Sequence, residues 1–354
     1  MIELSRRLAR QFHTVLRRGL LGARTRGPWP LVLCKADEHG LTLQARHDEL
    51  AVRYQAEGNH EPEALAFPGS VLGEWAGNSE ALVTLEARDA GRGSAHWFDG
   101  RIHRVIEFVL DDPDKVPAFP KLPAKLAEMP LGLLTALDAA ARTTAPESVR
   151  FALSRVLLRG KSGEVLASDG RQLLIQGGFA LPWQEDVLVP RLALFGHRDL
   201  NFTGPVSLGR TESQVALCVG GWTFALAIDK TGRFPDLHGV LPPAKSVTCR
   251  VQLHPKDADF LAATLPKLPG RDEHNAPVTL DLGPAVVLRG RDGSGGAVTE
   301  AVLSRSTAVG SPVRLVLNRQ FLVRAAQMGF QEVEVCGVDK PARCRDGQRA
   351  YAIM

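Results

Sequence analysis

His197 with Asp199, His254 with Asp257, and Asp257 with Asp259 are close pairs of the residue types that acid–base or metal chemistry uses. Such chemistry needs companions: a nucleophile within reach of the base, a third group to orient it, or further ligands at metal-binding spacing. None of these pairs has them. Gly290-Arg291-Asp292-Gly293-Ser294-Gly295-Gly296 is glycine-rich, as phosphate loops are, but it lacks their lysine and following helix. A hairpin tip is the expectation there. The five cysteines (Cys34, Cys218, Cys249, Cys336, Cys344) show no CxxC spacing. Neither a zinc site nor a disulfide framework is therefore expected, and no cofactor. The sequence predicts recognition, not catalysis.

Arginine is the other chemistry-bearing residue. The chain of 354 residues has a formal net charge of +4 and a pI near 8.9, with arginine supplying most of the positive charge. A guanidinium is a planar fork that donates two hydrogen bonds at once to a phosphate. A polyanionic partner is compatible with this balance, although composition alone does not name one. No apolar run of about 18 residues is present, so no membrane span is expected. Met1-Ile2-Glu3-Leu4-Ser5-Arg6-Arg7 places charge ahead of any apolar stretch, unlike a secretory signal, and a cytoplasmic location is the expectation.

The elements that must position these arginines are written three times. A strand ending in Pro or Asn, a short helix and a further strand recur at Ala66-Phe67-Pro68 to Leu85, Leu188-Val189-Pro190 to Leu208, and Val316-Leu317-Asn318 to Val335. The spacing is roughly 120 to 130 residues, the size of a domain. Pro68 and Pro190 suit a first helical turn, and Asn318 suits an N-cap. Each copy also opens with a helix: from Ser5 to about Leu20, with Leu8, Phe12, Val15 and Leu16 on one face; from Leu131 to Ala141; and from Lys256 to Leu265. Alternating strands such as Gly40–Ala45 and Gly163–Ser168 follow. Proline-rich linkers fall at residues 119–124 and 240–245. The expected fold class is α+β: three domains (1–123, 124–245, 246–354), each with two helices packed on about eight antiparallel strands.

Four stretches carry a family resemblance: Ala167-Ser168-Asp169-Gly170-Arg171-Gln172-Leu173; Gly232-Arg233-Phe234-Pro235-Asp236 with Val240-Leu241-Pro242; the closing Ala350-Tyr351-Ala352-Ile353-Met354; and Gly22-Ala23-Arg24 with Pro30-Leu31-Val32-Leu33. In this order and spacing, across essentially the whole chain, the sequence resembles the bacterial DNA polymerase III beta subunit, the sliding clamp. The resemblance implies a non-catalytic processivity factor: a head-to-tail homodimer that closes a ring around duplex DNA without reading its sequence. The implied partners are the DNA polymerase III alpha subunit, the clamp loader and other proteins carrying a clamp-binding motif. The dimer contact is expected near His103 to Phe108, against the far edge of the third domain.

Two sites follow from the resemblance. Channel-facing basic residues are expected at Arg6, Arg10, Arg17, Arg18, Arg142, Arg191, Arg198, Lys256, Arg319 and Arg324, with Arg24, Arg150 and Phe151 at positions that meet DNA in the family. Solvated helix faces would carry the same charges. A hydrophobic pocket for a partner peptide is expected from Leu153, Ser168, Gly170, Arg171, Leu173, Pro235, Val240, Asn318, Phe321 and Met354. In any such domain Leu153, Leu173 and Val240 would also serve as core. The chain stops at Met354 without the family's usual tail, Gly239 stands where a basic residue is common, and clamps of this family are usually acidic. A divergent clamp-like paralogue, binding DNA or partners outside the main replicative polymerase, is the alternative reading.

Overall fold

The structure, a computed structural model, describes residues 1–20, 28–89, 91–148, 151–200, 202–293 and 295–354. They form two compact units, residues 1–141 with 179–231, and residues 142–178 with 232–354.

In the first unit β1 (Ile2–Ser5) runs into α1 (Arg6–Val15). Ser5 caps the helix, its hydroxyl accepting from the Leu8 N–H at 3.1 Å. A wider π-helical turn, Leu16–Leu20, continues it. Leu8, Phe12, Val15 and Leu16 are buried, as their helical spacing requires. The chain then builds β2 (Leu31–Asp37), β3 (Gly40–His47), β4 (Leu50–Glu57), β5 (Glu63–Pro68), the short α2 (Leu72–Trp75), β6 (Leu82–Ala87), β7 (Arg92–Asp99) and β8 (Ile102–Val109), followed by β9 (Ala127–Met129) and α3 (Gly132–Thr143). The strands β10 (Arg155–Arg159), β11 (Glu164–Ser168) and β12 (Gln172–Gln176) belong to the second unit. After them the first unit resumes with β13 (Asp186–Pro190), β14 (Val206–Arg210), β15 (Gln214–Val219) and β16 (Trp222–Ala227).

Two antiparallel sheets result, one ordered β1-β6-β7-β8 and one ordered β5-β2-β3-β4-β16-β15-β14-β9. Gly40 closes the β2–β3 hairpin at φ +135°, where a Cβ would lie 2.0 Å from the Ala56 carbonyl oxygen. Aromatic rings lock helix to sheet: Phe12 stacks on Trp222 at 5.8 Å, and Trp75, Phe67 and Phe108 meet at 5.5–6.1 Å.

The second unit adds β17 (Cys249–Gln252), α4 (Pro255–Thr264), β18 (Pro277–Leu282), β19 (Val286–Arg291), β20 (Val298–Val302), β21 (Thr307–Gly310), β22 (Val313–Asn318), α5 (Arg319–Gln327), β23 (Glu332–Val335), β24 (Ala342–Asp346) and β25 (Arg349–Ile353). One antiparallel sheet runs β10-β11-β12-β25-β24-β23-β17-β21, and another β20-β19-β18-β22. The glycine-rich run after Arg291 joins two paired antiparallel strands, Arg291 facing Val298 across the hairpin. Asp257 has a structural role, accepting from the Ser306 hydroxyl at 2.8 Å and the Arg305 N–H at 3.0 Å.

The element order strand, helix, four strands, second helix, three strands holds in the first and last copies, with β21 inserted in the last, and the middle copy follows it without the second helix. The middle copy departs from the expected two helices. Residues 191–200 are successive turns, closed by bonds from the His197 N–H to Leu194 and from the Leu200 N–H to His197. A Cβ at Gly196 would lie 2.6 Å from an Asp138 carboxylate oxygen. Glycine at this position lets the turn lie against the Asp138 side chain of α3.

Glu334 and Arg343 are both buried. The Glu334 carboxylate accepts from the Arg343 Nε at 2.7 Å and from Arg250 at 2.9 Å, and Arg343 also donates to the Pro242 carbonyl. Burial pushes the Glu334 carboxyl up, but the hydrogen bonds from Arg250 and Arg343 outweigh it and hold the group below its ordinary range. Its stabilising contribution is therefore present above the ordinary glutamate value of 4.5 and disappears as pH falls through the lower folded value. Glu334→Gln strands a buried cation, so urea denaturation at neutral pH should show a loss of about 3 kcal/mol. The wild type's loss of stability below about pH 4.5 should be correspondingly shallower in the variant.

Candidate nucleic-acid interface and peptide pocket

The face of α1 opposite its buried stripe presents arginines, and the structure divides them. Arg6 is mostly buried; it donates to the Trp75 carbonyl at 3.2 Å and pairs with Asp99 at 3.3 Å, fastening α1 to its neighbours. Arg10 pairs with Asp199 at 2.9 Å and with the Asn78 side chain. That hydrogen bond from Arg10 holds the Asp199 carboxyl below its usual range. Arg17 and Arg18 at the end of the helix are exposed, as is Arg198 on the 191–200 turns. Their charges converge. His197 is held below the usual histidine range by burial and then by Arg18, with Arg17 and Arg198 adding to the effect and Asp199 opposing it. His13 is lowered by burial and by Arg17, and its ring stacks on Trp29 at 4.8 Å. The first unit thus carries a cationic cluster of Arg17, Arg18 and Arg198, with two histidines held toward neutrality beside it.

The other expected contacts fall in both units. Arg142 and Lys256 are exposed, and Arg191 and Phe151 are half-buried. Arg24 and Arg150 lie outside the described residues. Arg319, expected with the channel-facing arginines, is instead buried at 1% exposure. Its guanidinium donates to the carbonyls of Ala276 at 3.1 Å, Leu265 at 3.3 Å, Pro269 and Pro277 at 2.6 Å each, and Leu268. It binds residues 265–277 to the start of α5 and has no donor left for a phosphate. Arg324 is half-buried and donates to the Gln172 side-chain oxygen at 2.9 Å.

The ten expected pocket residues all lie in the second unit. Gly170 sits at φ +87°, and a Cβ there would lie 3.8 Å from a Leu153 methyl, so turn and leucine are neighbours. The Met354 N–H donates to the Arg171 carbonyl at 2.8 Å, which sets the last residue of the chain beside that turn. Arg171 donates to the Asn275 side chain. Asn318 caps α5, its side chain accepting from the Gln320 N–H at 2.8 Å, and Phe321 follows one turn later. Leu153, Pro235, Val240 and Asn318 are half-buried, while Gly170, Arg171 and Met354 are exposed. Ser168 and Leu173 are wholly buried. Ser168 acts inside the turn, donating to the Gln172 carbonyl at 2.7 Å and accepting from the Gly170 N–H at 3.0 Å. Neither presents side-chain surface to solvent.

No protein-family model matches the chain, and no curated protein matches it. Solved structures do. A sliding clamp (DNA polymerase III subunit beta) from Pseudomonas aeruginosa, bound to griselimycin, is 17% identical with a TM-score of 0.78, over 100% of this chain and 98% of that one. The DNA polymerase sliding clamp of Bacillus subtilis is 17% identical with a TM-score of 0.77, over 99% and 97%. A DNA polymerase III beta chain from Streptococcus pneumoniae is 12% identical with a TM-score of 0.75, over 99% and 98%. The chain has the sliding-clamp fold. The resemblance read from four short stretches thus extends over the whole chain at the level of fold. Among the described residues of this clamp fold, no group of three or more His, Cys, Asp or Glu is placed to hold a metal ion, and no helix is long and apolar enough to cross a membrane.

Sequence reasoning missed the inward turn of Arg319, although a signal was present. Leu322 and Val323 lie three and four residues on and are both buried, so helical spacing puts Arg319 on their face. Arg319→Met keeps the apolar stem but removes the guanidinium from five carbonyls, of which Ala276 and Leu265 keep a backbone N–H donor. Urea denaturation should show a loss of about 3 kcal/mol or more. Unchanged stability would mean that water satisfies those carbonyls equally well.

Proposed function

We propose that this chain is one subunit of a DNA sliding clamp: a non-catalytic, cytoplasmic protein that closes head to tail with a second copy around duplex DNA. In this reading it tethers the DNA polymerase III alpha subunit, the clamp loader and other partners through the peptide pocket near Gly170 and Met354. The three copies of the element order correspond to domains at 1–123, 124–245 and 246–354.

One observation carries the proposal. The strands β4, β12 and β20 hold the same place in successive copies, and so do β8, β16 and β25. The first copy's β4 pairs with the second copy's β16, Tyr54 opposite Trp222 and Leu50 opposite Leu226. The second copy's β12 pairs with the third copy's β25, Gln172 opposite Ile353 and Gln176 opposite Arg349. The same rule gives β20 the next copy's β8, and only another chain continues the series. Both strands are open edges. They expose apolar side chains, Ile102, Val105 and Val109 on β8 and Val298 and Val302 on β20, where isolated sheet edges are normally protected by charge. A contact of this kind is heterologous, so it either closes a ring or grows into a filament.

Two measurements test this reading. Wild type should sediment at about twice 38.3 kDa and remain on a closed circular duplex while sliding off a linear one. Val105→Lys and Val302→Lys, at exposed positions, should each give a folded monomer that is not retained. A wild-type monomer, or variants that still dimerise, would remove the ring. The second measurement concerns the cationic cluster. Replacing Arg17, Arg18 and Arg198 together with alanine should weaken duplex binding equally for all sequences. The slope of log affinity against log salt should fall by about 0.9 for each phosphate that is no longer neutralised. An unchanged slope would place the DNA-binding surface elsewhere.

A further inference from the structure

Beneath the proposed pocket a single amide joins three elements. The Gln172 side chain donates through Nε2 to the Asp169 carboxylate at 2.8 Å. Its Oε1 accepts from the Tyr351 hydroxyl on β25 and from the Arg324 guanidinium on α5 at 2.9 Å. Gln172 and Tyr351 are buried. The other carboxylate oxygen of Asp169 accepts from the N–H groups of Arg171 and Gln172, both at 2.9 Å. The turn that displays Gly170 and Arg171 is therefore held through Asp169, and Asp169 is held through Gln172. Arg324 lies one helical turn beyond Phe321, so the same amide also fixes that part of α5 against the turn.

We infer that Gln172 is the positioning residue of the pocket rim, and that Arg324 serves peptide binding through Gln172 and not through contact with DNA. The inference rests on the peptide-pocket reading above. A buried amide can accept from two donors and donate to a carboxylate only when all three partners stand in fixed places. Removing it orphans a buried phenol and frees one side of Asp169, so the turn loosens where a peptide would be gripped. Leucine has similar bulk but neither a donor nor an acceptor. The loss expected from Gln172→Leu is thus one of order and not of volume.

The test uses the full chain and a fluorescent peptide carrying the clamp-binding motif of the DNA polymerase III alpha subunit. Arg324→Ala and Gln172→Leu should each weaken the peptide about tenfold, while duplex retention stays at the wild-type level. Gln172→Glu supplies a readout that a merely structural role would not move. The new carboxyl keeps the acceptor for Tyr351 and Arg324 but faces Asp169, and two carboxylates at that distance share a proton. Affinity should be near wild type at about pH 5, where the shared proton restores the bond, and fall as pH rises to about 8. The other titratable groups at this point are Arg324 and Tyr351, with Cys344 opposite Tyr351 on the neighbouring strand. Arginine does not titrate in that range, and burial pushes the Tyr351 phenol up and the Cys344 thiol up to about 12.

Wild-type binding that neither Arg324→Ala nor Gln172→Glu alters would overturn the inference and leave the pocket standing. Lost duplex retention with unchanged peptide affinity in Arg324→Ala would return that arginine to DNA and overturn it as well. A wild type that does not bind the peptide would remove the pocket reading and the inference with it. Should Gln172→Leu fail to fold, Arg324→Ala, at a half-exposed position, decides alone.

Discussion

Antiparallel pairing between equivalent strands of successive copies is the constraint on which the rest of this chain depends. A strand edge is a row of unpaired N–H and C=O groups, and leaving it dry and unpaired costs more than almost any side-chain contact returns. In this chain β4 and β12 solve the problem by borrowing β16 and β25 from the next copy. The compact units consequently do not follow the repeat: the first holds the whole of the first copy together with part of the second. Sheets that run through copy boundaries are stiffer than linkers, because a boundary would have to break a ladder of hydrogen bonds in order to bend. The proline-rich connections at 119–124 and 240–245 therefore need not carry the rigidity that their composition suggests.

Arginine does two unlike jobs in this molecule, and its chemistry permits both. Arg319 and Arg343 are internal fasteners. The first is surrounded by neutral carbonyls, the second by a buried carboxylate and the Pro242 carbonyl. A fork of five fixed donors can satisfy a whole irregular segment, which lysine's single ammonium cannot reach. Arg17, Arg18 and Arg198 keep their heads in water. Net charge sums the two classes, so the mildly basic balance reports a genuine surface cluster diluted by cations already engaged inside.

The fold was legible in the sequence wherever local chemistry and tertiary context agreed. Ser5 and Asn318 cap the helices that their types suggested, and the stripe from Leu8 to Leu16 is buried as its period requires. The middle copy was misread because Leu192, Ala193 and Leu194 suit a helix by themselves, while in the structure the segment forms successive turns with Gly196 close against the Asp138 side chain. The site was less legible. Gly170 and Met354 could be placed through their stretches, but the depth of Leu173 depends on pairing with β25, roughly 180 residues away in sequence. Of the three side-chain partners of Gln172 only Asp169 is near it in sequence; Arg324 and Tyr351 lie 152 and 179 residues away, and contacts so remote leave no periodicity to read.

Under the proposed function these features fit one logic of binding. A ring that holds duplex DNA by topology gains nothing from tight contacts, since each strong contact would slow its movement along the helix. Exposed arginines beside Asp199 and two histidines held toward neutrality would give a positive surface of moderate strength, attractive to phosphate and easily released. Partner recognition has the opposite requirement, because a short peptide offers few side chains and the pocket must be ordered before it arrives. The hydrogen-bonded turn from Ser168 to Gln172 supplies that order from within the protein. Loose contact at one site and a pre-set turn at another are what a mobile tether needs, and in the proposed reading they fall on different elements: the Leu16–Leu20 turn with residues 191–200 for the first, β12, α5 and β25 for the second.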